Sequence, residues 1–198
     1  MNEKIEFIKE SHTYLFNGII VPSVSQILKF KFPDKYKGIS ESVLNKKAEF
    51  GTRVHELTEQ HDKGYAINMI DLPVYERLCL EQHIKLSKKF IFMPIEHEQI
   101  VFHEELHYAG TLDTIGLVKG LKSIIDKKCT SKLDKEYVAW QNSLYYYALD
   151  DKEIKKSYCE WLPKGELGKL EELEILPYED IKELVDEFVE KEWQVWMC

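Results

Sequence analysis

The chain has 198 residues and a mass of 23.4 kDa, 44% of them hydrophobic and 31% charged. That is the size and balance of one ordinary globular domain with its own core, so a single domain over residues 1–198 is expected. No stretch approaches the roughly 18 uninterrupted apolar residues of a membrane span, and the opening MNEKIEFIKESH lacks the apolar run of a secretory signal. Membrane, collagenous and secreted-scaffold classes are excluded, and a cytoplasmic protein is expected. The formal net charge of −8 excludes little: eleven acids and three lysines fall between Glu166 and Glu192, so that segment carries the whole excess. Lysines cluster instead at Lys29, Lys31, Lys35 and Lys37 and again between Lys119 and Lys135, and a basic face can coexist with an acidic back.

The elements follow in chain order. Residues from Tyr14 to Val21 read as two short strands around Asn17-Gly18, the strongest short-range hairpin signal. Ser23 and Gln26 make a capping box for a short helix through about Leu28. A helix is expected from about Ser40 to His61, where Val43, Lys47, Phe50, Val54, Leu57 and His61 recur at helical spacing, and a second from about Leu72 to Phe90. After Pro94 the pattern alternates: residues 95–103 and 106–118 read as an antiparallel hairpin, and Ser123 to Cys129 as a third strand. Residues 134–149 form an amphipathic helix with Tyr137, Trp140, Leu144 and Ala148 on one stripe. Strands at about 155–162 and 169–176 precede a last, acidic helix from Tyr178 to about Trp196. This order predicts an α/β fold, a mixed β-sheet flanked by α-helices with an N-terminal β-hairpin.

The middle strands carry the sharpest chemical signal. Asp113 interrupts the apolar and small-residue strand Gly110-Thr111-Leu112-Asp113-Thr114-Ile115, and Asp126 interrupts Ile124-Ile125 with Lys128 two residues on. Side chains alternate along a strand, so Asp126 and Lys128 share a face. Buried carboxylates are costly unless paired or bound to a cation; two of them beside a lysine suit a divalent-metal site better than a core. Taken alone, Asp-x-Lys reads as an exposed ion pair. Two further pairs change the balance, His55 with Glu59 and Gln141 with Tyr145, each four apart and so on one helix face.

The ordered set Gly51-Thr52-x-x-His55-x-x-x-Glu59, Gly110-Thr111-x-Asp113, Ile124-Ile125-Asp126-x-Lys128 and Gln141-x-x-x-Tyr145 resembles the PD-(D/E)XK nuclease superfamily, in its RecB-like and phage-type exonuclease branch. The opening from His12-Thr13-Tyr14 to Ile27-Leu28 is also similar to that branch. The resemblance implies a restriction-endonuclease-like core and a metal-dependent DNA exonuclease hydrolysing phosphodiester bonds, in phage-type recombination or DNA end processing. Asp113 and Asp126 would hold Mg²⁺ or Mn²⁺ with His55 and the backbone carbonyl of Lys127. Lys128 would orient the attacking water and stabilise developing charge. Gln141 and Tyr145 would position the DNA strand, with Glu59 and Glu98 as secondary candidates. The partner implied is DNA, together with a homo-oligomer or a recombination partner protein, in a bacterial or phage-infected cell. Two features depart from the family: Cys129 follows the motif lysine where Thr is common, and the grouped cysteines of cluster-bearing members are absent, so no iron–sulfur cluster is expected.

Cys79, Cys129, Cys159 and Cys198 are scattered and read as free thiols. Lys29-Phe30-Lys31-Phe32 with Lys35-Tyr36-Lys37 reads either as a strand-gripping patch or as a helix end with buried rings and solvated lysines. His97, His103 and His107 lack compact ligand spacing and read as surface residues of a hairpin, and Trp193 and Trp196 as core packing. The alternatives to a nuclease are a catalytically silent module of the same fold that binds DNA ends or a protein partner, and a hydrolase of small phosphate esters.

Overall fold

The computed structural model describes residues 5–165 and 167–193; the expectations for Trp196 and Cys198 fall outside these. A three-stranded antiparallel sheet opens the chain, made of β1 (Ile5–Ile8), β2 (Thr13–Phe16) and β3 (Ile19–Val21). Asn17 and Gly18 both adopt positive φ, 51° and 81°, the geometry of the tight turn their identities predict. The hairpin also has a third strand, β1, which pairs with β2 and lies outside the hairpin expected from the sequence. In α1 (Val24–Lys31) the Ser23 hydroxyl accepts the Gln26 N–H and the Gln26 side chain accepts the Ser23 N–H, the capping box read from the sequence.

Two helices follow, α2 (Glu41–Asp62) and α3 (Val74–Phe90). The stripe predicted for α2 is only half right. Val54 and Thr58 are buried, but Val43 and Lys47 are exposed, because the first half of the helix packs on little of the body. Gly51 stands mid-helix.

The main sheet has the order β4-β5-β6-β7-β8, with β4 (Phe92–His103), β5 (Tyr108–Val118), β6 (Leu121–Lys128), β7 (Lys156–Trp161) and β8 (Lys169–Leu173). All neighbours are antiparallel except β6 and β7, which are joined through the crossover helix α4 (Lys135–Leu149). The expected mixed sheet flanked by helices is thus what the chain forms. Strand β4 starts earlier than the sequence suggested, with Pro94 inside it. An edge strand tolerates the missing N–H, and a register shift between Pro94 and Glu96 absorbs the irregularity.

The main core gathers Ile27 and Leu28 of α1, Leu112 and Ile124 of the sheet, Leu144 of α4, and Ile181 and Phe188 of α5 (Tyr178–Phe188). A π-helical turn, Val189–Trp193, continues α5, and Trp193 packs into this core. Val54, Cys79, Leu86 and Leu162 make a second core under α2 and α3. Phe30 and Phe32 pack against the main core, while Lys31 and Lys35 lie 3.7 Å from the ring centres of Trp140 and Tyr137. Phe30 and Phe32 of that lysine–aromatic segment therefore serve packing, while Tyr36 is exposed. Among the described residues no helix is long and apolar enough to cross a membrane.

Candidate metal centre

The backbone ladder between β5 and β6 runs from Val118–Leu121 only as far as Thr114–Ile125. Beyond it the side chain of Asp113 takes over: its Oδ2 accepts the N–H of Lys127 at 2.8 Å, which keeps that donor satisfied where the ladder stops. The carbonyl oxygen of the same Lys127 lies 3.1 Å from Nε2 of His55 on α2, and His55 Nδ1 lies 3.7 Å from Asp113 Oδ2. Lys127 is thus in contact with two candidates through its main chain alone.

Alternation along β6 places Asp126 and Lys128 together, and Lys128 Nζ sits 2.9 Å from Oδ1 and 2.8 Å from Oδ2 of Asp126. Burial pushes the Asp126 carboxyl up to about 6, the neighbouring Asp113 adding to it and Lys128 opposing it. For Asp113, burial also favours the neutral form, but His55, Lys128 and the Lys127 N–H outweigh it and hold the group below its ordinary value. Burial disfavours the Lys128 ammonium, yet Asp126 and Asp113 outweigh that and raise its pKa.

His55, Asp113 and Glu98 offer ligand atoms within 4.8 Å of one another and could hold a metal ion. Glu98 reaches the group from β4 with φ at +51°, a left-handed conformation that costs a non-glycine residue about 1–2 kcal/mol. Burial, then Asp113, raises its pKa. Asp126 stands outside that trio, its carboxylate held by Lys128, and Asp113 lies close enough to raise its pKa. Carboxylates, one imidazole and a backbone carbonyl are a donor set that fits a hard divalent cation. Glu59, by contrast, is paired with Lys63 on its own helix.

Gln141 and Tyr145 lie together on α4, where Gln141 Nε2 donates to the Tyr145 hydroxyl at 3.3 Å. Tyr145 is buried, and burial raises its pKa although Gln141 opposes the shift. Its ring fits because Gly110 has no side chain: a Cβ there would stand 2.6 Å from Tyr145 Cε1. Gln141 Oε1 is buried with no hydrogen-bond partner among the described residues.

No family model matches this chain, and no curated protein does. Among solved structures the chain is similar in fold to SSO0001, at a TM-score of 0.50 and 14% identity over 89% of this chain and 81% of that one. LHK-Exo in complex with dAMP aligns at a TM-score of 0.44 and 15% identity, over 89% of this chain and 90% of that one.

A cavity of about 660 Å³ opens beside His55 and Lys128, lined also by Lys47, Phe50, Gly51 and Lys164. Lys164 Nζ lies 3.8 Å from the Phe50 ring centre. Lys164 is remote in sequence from every motif, and Lys47, four residues before Gly51, reads in the sequence only as part of the α2 stripe. The histidines of the hairpin require a correction. Only His107 is exposed; His103 is buried and accepts the Leu106 N–H at 3.1 Å, and His97 is turned inward toward Asp62. The sequence also missed Asp62, His83 and Glu160, which meet in a buried cluster. The available signal was His83 on the apolar stripe Cys79, Leu80, Leu86 of α3.

Proposed function

We propose that this chain is a single-domain, divalent-metal-dependent nuclease of restriction-endonuclease-like fold that hydrolyses phosphodiester bonds of DNA, acting as an exonuclease in recombination or end processing. One observation carries the reading: His55 and Asp113 both contact the main chain of Lys127, while Asp126 and Lys128 flank that residue. Two motifs distant in sequence, those of His55 and Asp113, thereby meet the three consecutive residues of a third, in the order that resembles PD-(D/E)XK exonucleases. The exonuclease assignment rests on that resemblance.

His55, Asp113, Asp126 and the Lys127 carbonyl are the residues that would hold Mg²⁺ or Mn²⁺, with Glu98 reaching the same place. What such a cation supplies when bound is neutralisation of an already anionic phosphodiester and a water of lowered pKa. Asp126 orients Lys128 through the hydrogen bond at Oδ1, with Oδ2 2.8 Å from the same ammonium. The ammonium donors left free orient the attacking water and meet the negative charge that builds on phosphate oxygens. The Asp113 carboxylate fixes residue 127 through its N–H, and so fixes the carbonyl that faces His55. Gln141 and Tyr145 position the strand, Gln141 with an Oε1 that lacks a hydrogen-bond partner among the described residues. Lys47 and Lys164 along the groove suit a phosphate backbone.

The test is degradation of linear duplex, linear single-stranded and closed circular DNA in Mn²⁺, Mg²⁺ or EDTA, beside Asp126→Ala. The expected result is metal-dependent loss of the linear substrates alone, abolished by Asp126→Ala. Cutting of circles would replace exonuclease by endonuclease. A folded protein that binds DNA in EDTA and cuts nothing in any metal would instead be a silent DNA-binding module.

A further inference from the structure

A buried charged cluster backs the candidate metal centre. Asp62 ends α2, His83 lies on α3, Glu160 on β7 and Lys127 on β6, with side chains 2%, 0%, 5% and 2% exposed. His83 Nε2 donates to Asp62 Oδ1 at 2.8 Å, and its Nδ1 to the two oxygens of Glu160 at 2.9 and 3.0 Å. Lys127 Nζ lies 3.4 Å from the other Asp62 oxygen. Burial disfavours the imidazolium, but Glu160 and Asp62 outweigh it and carry the pKa to about 9. Two carboxylates therefore face two cations, and their mutual compensation permits burial of all four.

His61, Asp62 and His83 have the ligand types of a transition-metal site and lie within range of one another. They are poorly suited to that use. The Lys127 ammonium already stands at Asp62, and both His83 nitrogens carry protons, so a further cation is repelled.

The use of the cluster shows in what Lys127 does with its backbone. Its N–H is held by Asp113 and its carbonyl faces His55, while the side chain runs back to Asp62. Helix α2 thus touches Lys127 twice, through His55 at the carbonyl and, two turns later, through Asp62 at the ammonium. Well-packed apolar residues would stabilise such a place at least as well, so stability alone does not account for four buried charges.

We propose that Asp62, His83 and Glu160 are positioning residues that grip the Lys127 side chain and so hold its main chain and helix α2 at the spacing the metal-bearing set requires. This rests on the metal-dependent reading above, and the test separates the two. Mn²⁺ affinity is measured calorimetrically for the wild type, Asp62→Asn, Lys127→Met, the double variant and Lys127→Arg, with melting curves in EDTA. Lys127→Met and Asp62→Asn should each weaken Mn²⁺ binding by about ten- to a hundredfold. The double variant should be no weaker than the worse single one, as for residues acting as a unit, and Lys127→Arg should restore most of the affinity. The double variant removes both charges of a pair and so remains informative if a single substitution fails to fold. Folded variants that bind Mn²⁺ as tightly as the wild type, with only the melting temperature lowered, would overturn the positioning role alone. A wild type that binds no Mn²⁺ would overturn the metal reading and this inference with it.

Discussion

Lys128 closes on Asp126, two residues before it on β6, with its ammonium bridging both carboxylate oxygens at 2.9 and 2.8 Å. The pair places a cation and an anion at the strand end where the β5–β6 ladder has stopped and Asp113 bonds the backbone instead. The ammonium compensates the carboxylate incompletely, since burial and Asp113 still push Asp126 up to about 6.

That value sets a pH dependence for metal binding. A cation needs the ionised carboxylate, so protons compete with it once the pH falls below about 6. The Mn²⁺ dissociation constant should weaken as the pH falls through about 6, by about tenfold per pH unit for each competing proton. A constant unchanged between pH 8 and pH 5 would place Asp126 outside the metal-bearing set.

His83 sets a second pH dependence, in stability. Its folded pKa of about 9 lies above the ordinary histidine value, because Glu160 and Asp62 outweigh the cost of burial. The stabilisation is complete below the unfolded pKa of about 6.5 and is lost as pH rises through about 9; the difference corresponds to on the order of 3 kcal/mol. Urea unfolding at pH 6.5, 8 and 9.5 should show the decline, and His83→Gln should flatten it. An equal decline in His83→Gln would assign the effect to other groups.

Gly110 is fixed by its neighbours rather than by its backbone angles. An alanine Cβ would meet Tyr145 Cε1 at 2.6 Å and Val24 Cγ2 at 2.9 Å. Gly110→Ala should therefore cost about 1–3 kcal/mol through overpacking and displace the Tyr145 ring, lowering activity well below the melting transition. Thermal melts paired with turnover at a temperature where the variant stays folded would check both effects.

Gly51 behaves in the opposite way. It lies inside α2, with open space where an alanine methyl would stand, and lines the groove. Gly51→Ala should stabilise the helix by up to about 1 kcal/mol while raising the KM for DNA, if the strand passes close to that backbone. Stabilisation with an unchanged KM would direct the strand elsewhere.

The legible parts of this molecule are those in which local chemistry decides. Asn17-Gly18 dictates a turn, Ser23 and Gln26 dictate a cap, and a carboxylate inside an apolar strand marks Asp113 and Asp126. The buried cluster was illegible because its members stand 21 and 77 residues apart and share no spacing; only the fold brings them together. His97 and His103 were misplaced for the same reason, since a hairpin does not disclose which of its faces another element covers. The α2 stripe failed at Val43 because periodicity identifies a face but not the partner that buries it.

The proposed nuclease action rests most directly on Lys128, and the most direct measurement is nucleotide release from linear DNA by the wild type and Lys128→Met, both checked for folding and for Mn²⁺ binding. The account predicts Mn²⁺-dependent release by the wild type, none in EDTA, and a loss of at least a hundredfold in Lys128→Met with Mn²⁺ still bound, roughly the scale of one lost charge-stabilising donor. Equal release by the two proteins, or none by a folded, Mn²⁺-loaded wild type, would contradict it.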